Sequence, residues 1–187
     1  MHVADLSVKL FDALAAEHGL SRRDRLLLRV AAMLHEVGSY VSGRMHHKHS
    51  YYLISNAEVF GLSGEEIQIV ALVARYHRRS GPKQTHPEYV ALPRERRVEV
   101  SKMAALLRVA DALDRGHAQH VQDFHVERHG DEVVLFIHGV TDLSLERMAM
   151  VRKADLFENI FGLRVRLEEA PLPAARRPKR RGSLQGQ

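Results

Sequence analysis

Apolar residues at Val3, Leu6, Leu10 and Leu14 recur at helical spacing and predict a first helix that Gly19 stops. Ser21 followed by Asp24 has the form of a capping box. It opens a second helix through "RDRLLLRVAAMLHEV" to Gly38. That helix is apolar on most sides, which places it centrally. A third helix is predicted over 50–59, with Gly61 breaking the pattern. Ser63 with Glu66 caps a fourth, which runs to Arg78. "SGPKQTHP" reads as a loop. Pro93 suits the first turn of a fifth, long helix ending near Asp114.

The period then changes. "QDFHVERHGDEVVLFIHG" holds two β-branched apolar runs on either side of "RHGD", the pattern of a hairpin. "LSLERMAMVRKADLFENIF" is helical and Gly162 ends it, and "LRVRLEE" alternates like a third strand. The fold expected is mainly α, followed by a small β-β-α-β unit, and α+β overall. The helical domain covers 1–118, the small subdomain 119–169, and a tail 170–187.

Composition adds three constraints. The chain has 187 residues and no cysteine, so thiolate metal sites are excluded and a metal would need histidine or carboxylate. Thirteen histidines make that feasible. No run approaches the roughly 18 apolar residues of a membrane span, and no signal pattern opens the chain, which gives the expectation of a cytoplasmic protein with no membrane partner. The net charge of +5 lies in the tail, where Arg176, Arg177, Lys179, Arg180 and Arg181 stand without acids; the remaining 23 basic residues match the 23 acidic ones. So Pro-rich and basic a segment cannot offset its ordering entropy, and it reads as disordered, with weak nucleic-acid contact as one use and simple solvation as the other.

The chemistry concentrates at helix ends. His35 and Glu36 close the second helix, "HHKHS" follows, His77 sits in "RYHRR", and Asp111 and Asp114 lie one turn apart in "LLRVADALDR". In a bundle, the ends of different helices can share one cavity. His35, Glu36, His49, His77 and Asp111 form a mixed N/O donor set suited to manganese, iron, zinc or magnesium. Each adjoins an apolar run, where an unpaired titratable group is costly. The plainer reading also stands: His35 as a helix cap, and Asp111 and Asp114 as ion-pair partners of Arg108 and Arg115.

"LLRVAAMLHEVG", "HHKHSYYLI", "ARYHRR" and "LLRVADALDR", in this order, resemble the HD superfamily of phosphohydrolases. With "GLSGEEIQIVALVARYHRR" and "RKADLFENIFGLRVRLEE", they resemble more narrowly the C-terminal portion of the exopolyphosphatase/guanosine pentaphosphate phosphohydrolase (Ppx/GppA) family, from Val3 to Glu169. The HD resemblance implies a metal held by a first-helix histidine, a His-Asp pair and a later aspartate. His35 fits the paired histidine and Asp111 the late aspartate. Glu36 stands in the Asp position with a methylene too many. The first-helix histidine falls ahead of Met1, and His2 lies on another face.

His49 and His77 match additional histidines of two-metal relatives. The same ends carry Lys48, Arg75, Arg78, Arg79, Lys83 and Arg108, a basic groove for phosphate oxygens, to which the arginine fork is suited. The narrower resemblance implies that hydrolysis belongs to preceding actin-like domains, whose Gly-rich phosphate loops do not occur here. It also implies a homodimer, or an actin-like phosphatase domain, as partner. Two readings follow. One is a module that binds polyphosphate or guanosine polyphosphate without turnover. The other is a stand-alone HD-type metal-dependent phosphohydrolase using His35, Glu36 and Asp111.

Overall fold

The computed structural model describes residues 1–78 and 80–171. The expected phosphate contact of Arg79 and the expected disorder and nucleic-acid contact of residues 172–187 lie outside the described residues. The fold is helix-dominated α+β. Helix α1 (His2–Ala13) turns at Leu14 into the short α2 (Ala15–His18), which ends on Gly19 at φ 59. Only glycine adopts that left-handed cap without a Cβ penalty. Helix α3 (Arg22–Leu34) starts on the expected capping box, with Ser21 and Asp24 each accepting from the other's backbone. It stops at Leu34 rather than at Gly38, and a 3-10 turn (Val37–Tyr40) follows.

Helix α4 (His46–Ser55) begins four residues before the expected position. Helix α5 (Gly64–Arg75) carries the second capping box, Ser63 with Glu66. A short α6 (Pro87–Val90), not expected, begins on the last residue of the stretch read as loop, and its Tyr89 hydroxyl bonds Ser101 Oγ at 2.9 Å. Helix α7 (Arg94–Leu113) follows Pro93 as expected and is buried over nearly all of its second half. It packs against α1, α3 and α5 on one side and α8 and α9 on the other. Burial all round is what its run of Ala, Leu and Val at successive positions requires.

Strands β1 (Phe124–His129) and β2 (Glu132–His138) form the hairpin, paired antiparallel from Phe124↔Ile137 to His129↔Glu132. The segment expected as one helix is two: α8 (Ser144–Lys153) and α9 (Asp155–Phe161), broken at Ala154. Strand β3 (Arg164–Ala170) then returns parallel to β2, giving the order β1-β2-β3. One continuous apolar core runs from Leu10 and Leu28 through Leu106 and Leu107 to Leu135, Phe157 and Leu167.

Arg108 joins the two regions. Its side chain is 1% exposed. Nε donates to the Lys153 carbonyl at 3.0 Å, and Nη2 donates to the Arg152 carbonyl at 3.3 Å and to Asp155 Oδ1 at 2.6 Å. These acceptors are the end of α8 and the start of α9. The clamp therefore fixes the α8–α9 junction against α7.

Candidate functional site

Three loci converge where α3 ends, α4 begins and α5 ends. Gly38 makes the junction possible. A Cβ there would lie 2.3 Å from the His46 carbonyl oxygen and 2.3 Å from the Ser50 nitrogen. Ser50 Oγ donates to the His35 carbonyl at 2.7 Å and accepts from the Gly38 N–H at 2.9 Å. Helix α4 is thereby drawn onto the 3-10 turn, and His46, on its first turn, is brought to His77.

The imidazole tautomers follow from their partners. His35 Nδ1 donates to the Ala32 carbonyl at 2.7 Å, and His77 Nδ1 donates to the Ala74 carbonyl at 2.6 Å. Burial lowers the pKa of both, that of His77 well below the ordinary histidine value, so both rings are neutral near pH 7. Each then carries a lone pair on Nε2. His46 Nε2 lies 3.1 Å from His77 Nε2, while His46 Nδ1 is 3.1 Å from the Gly43 carbonyl oxygen and 3.1 Å from Arg78 Nη1. His35 Nε2 is buried without a hydrogen-bond partner, 3.9 Å from Asp111 Oδ1.

These groups form one wall of a cavity of about 580 Å³. Arg78, Arg108, Arg115, Arg152 and Lys153 line it, against the carboxylates of Glu36 and Asp111. His46, His77 and His117 share the lining, and Leu145, Met148 and Ala149 give it an apolar side. The Lys153 ammonium pairs with Asp111. Burial, reinforced by Arg108 and Arg78 and opposed by Glu36, lowers the Lys153 pKa to about 8. His117, at φ 51, is a non-glycine residue held in the left-handed region at the mouth.

Of the residues expected from sequence, Glu36, His77, Arg78, Arg108 and Asp111 line this cavity, and His35 stands behind them. His49 packs at the Gly38 junction, outside the lining. Lys48 and Lys83 are exposed and also outside it. Arg75 pairs with Glu88 at 2.7 Å and lies over the Tyr51 ring, away from the cavity. Asp111 and Asp114 part company: Asp114 Oδ1 accepts from the Gln119 N–H at 2.9 Å and closes the loop after α7. Neither is the partner of Arg108. His46, Arg115, His117, Arg152 and Lys153 were not expected.

The donors do not fit a metal as arranged. Among the described residues no three His, Asp or Glu side chains are placed to hold one ion. Glu36 lies out at the mouth, 4.0 Å from His117 Nε2. The cation at Asp111 is supplied by Lys153.

Fold and cavity together define a class: a helix-dominated α+β domain with a cationic pocket beside buried imidazoles. Within that class the chain belongs to the family described as Ppx/GppA phosphatase, domain III, which matches residues 1–156. It is similar to the guanosine-5'-triphosphate,3'-diphosphate pyrophosphatase of Pseudoalteromonas translucida (strain TAC 125), with 40% identity over 52 residues, covering 28% of this chain and 10% of the relative. It is also similar to the protein of the same name from Pseudoalteromonas atlantica (strain T6c / ATCC BAA-1087), with 28% identity over 112 residues, covering 57% of this chain and 22% of the relative. The matched stretches thus span under a quarter of these relatives' length. Among the described residues no helix is long and apolar enough to cross a membrane.

Proposed function

We propose that this domain, of HD type, is a polyanion-binding module that takes polyphosphate or guanosine polyphosphate into the α7–α8 cavity without hydrolysing it. The observation that carries the reading is the lining: five cationic side chains against two carboxylates, beside the imidazoles of His46, His77 and His117. Phosphate oxygens are acceptors only, so a pocket of guanidinium and ammonium donors complements them, and guanidinium forks do so bidentately. Asp111 holds Lys153 in place through its ion pair, much as a positioning group would. In a full-length relative, the actin-like phosphatase domains would act on the chain that this module retains. A homodimer would extend the positive track.

The test is calorimetric titration with polyphosphate of defined length at low salt. Micromolar binding is expected. The double variant Arg115→Ala/Arg152→Ala, which removes two exposed cations of the lining, should weaken it by about 10- to 100-fold. Absence of heat for the unmodified chain would overturn the reading. Elemental analysis separates it from a metal-dependent phosphohydrolase, which the buried, unpartnered Nε2 of His35 favours. The module reading expects well under one divalent ion per chain. Stoichiometric manganese, iron or zinc, lost in His77→Ala, would favour the enzyme.

A further inference from the structure

The outer face of the hairpin carries a row of imidazoles that the cavity does not use. Side chains alternate along a strand, so Phe124, Val133, Leu135 and Ile137 go to the core. His125, Glu127 and His129 of β1 then share the open face with Phe136 and His138 of β2. The His125 ring lies on Phe136, with centroids 4.8 Å apart and planes 9° apart. His125 Nδ1 is 2.9 Å from His138 Nε2. His138 Nδ1 donates to the Pro171 carbonyl at 2.8 Å, which leaves the lone pair on Nε2, facing His125. The other nitrogen of His125, Nε2, is 3.5 Å from Glu127 Oε1, and His129 Nε2 is 2.9 Å from Glu127 Oε2.

A carbonyl behind one imidazole and a carboxylate behind the other is the backing that orients histidines toward a metal ion. With the His125 proton on Nε2, toward Glu127, two lone pairs face one another, and a cation between them removes their repulsion. Stability gives no reason for the pair. The side chains of His125 and Glu127 are 48% and 50% exposed, and polar contacts so open to water contribute little. The spacing selects the ion. Metal–nitrogen bonds of about 2.0–2.1 Å set cis nitrogens of a tetragonal site about 2.9 Å apart, and those of a tetrahedral site about 3.3 Å apart. The separation here is 2.9 Å, and a small turn of the two rings brings both lone pairs onto one point beside the line between the nitrogens. Among the described residues no third His, Cys, Asp or Glu is placed to complete the set, so water takes the remaining positions.

We infer that His125 Nδ1 and His138 Nε2 form a two-histidine site for a tetragonal divalent ion, nickel or copper, on the outer face of the hairpin. The site shares no residue with the lining of the cationic cavity and does not depend on the polyanion reading.

The experiment strips the full chain with chelator, exchanges it into metal-free buffer at about pH 7.5, and titrates it by calorimetry with nickel, zinc and manganese chlorides. Nickel is expected to bind at one per chain in the micromolar range, about tenfold more tightly than zinc and more tightly still than manganese. His125→Ala and His138→Ala should each weaken nickel by at least about tenfold, and His129→Ala should leave it within about twofold. With one equivalent of copper, the electron paramagnetic resonance spectrum should show two imidazole nitrogens in the parent and lose that pattern in either alanine variant. The double variant His125→Ala/His138→Ala should melt within about 2 °C of the parent, so that lost metal is not lost fold. Nickel binding that the double variant leaves unchanged places the ion on other histidines and overturns the inference. Zinc as tight as nickel overturns the tetragonal assignment. A parent that binds no nickel, with a double variant that melts well below it, makes the pair purely structural and overturns the site.

Discussion

Replacing Arg108 with methionine tests whether the α8–α9 junction, and with it Lys153, is held by this one side chain. Methionine keeps most of the apolar stem and removes the donors. The carbonyls of Lys153 and Arg152 would lose their acceptor contacts at 3.0 and 3.3 Å, and Asp155 its charge-assisted contact at 2.6 Å. An unsatisfied buried carbonyl costs about 1–3 kcal/mol. The side chain of Asp155 is 57% exposed, so water replaces its partner and that pair contributes about 1 kcal/mol or less. Burying the guanidinium is itself unfavourable, and burial lowers its pKa, so part of the loss is offset. The net loss expected is about 3 kcal/mol, or about 6–12 °C in Tm for a chain of this size. Urea unfolding followed by circular dichroism measures it. Arg108→Lys keeps the charge but not the fork, and should recover less than half of the loss. A loss below about 1 kcal/mol, or full recovery by lysine, would refute the clamp.

Gly38→Ala should destabilise by about 2–4 kcal/mol, because the added methyl meets two backbone atoms at 2.3 Å and α4 must shift; thermal melts check this. Acid should destabilise the fold through His77, whose surroundings are His35, His46, Arg78 and Lys153. Its folded pKa lies below the unfolded one, so this stability is present above about pH 6.5 and is lost as pH falls through the folded pKa. Urea midpoints near pH 7.5 and pH 5.5 should show the drop, and His77→Gln should flatten it. Anion binding should weaken as pH rises through about 8, where Lys153 loses its charge; Lys153→Met should remove that step, and an unchanged profile would contradict the role assigned to Lys153.

Much of the helical framework could be read from local signals. Both capping boxes are complete in four residues, Ser21 to Asp24 and Ser63 to Glu66, and both form. The hairpin is equally local, with Gly130 at φ 63 in its turn. His35, His77 and Asp111 were legible because each adjoins an apolar helical run, where a polar side chain needs a reason. His46 was not. Its place on the first turn of α4 depends on the helix starting at His46, and no cap residue marks that start. Lys153 and Arg152 reach the cavity from a segment more than forty residues after Asp111, a juxtaposition that only the packing of α8 on α7 creates. The break at Ala154 carries no Gly or Pro. Arg108 was read as a phosphate ligand for its place among the basic residues at the helix ends; the structure turns its Nε and Nη2 onto backbone carbonyls.

The central claim, a cationic cavity that grips a chain of phosphates, is tested most directly by the salt dependence of polyphosphate binding to the unmodified chain and to the chain ending at Ala170. With about three phosphate contacts in the cavity, affinity should fall about 10- to 100-fold between about 50 and about 200 mM salt, with the same slope in both forms and a smaller one in Arg115→Ala/Arg152→Ala. Binding that disappears when the residues after Ala170 are removed, or a slope that the double variant leaves unchanged, would place the anion elsewhere and contradict the account.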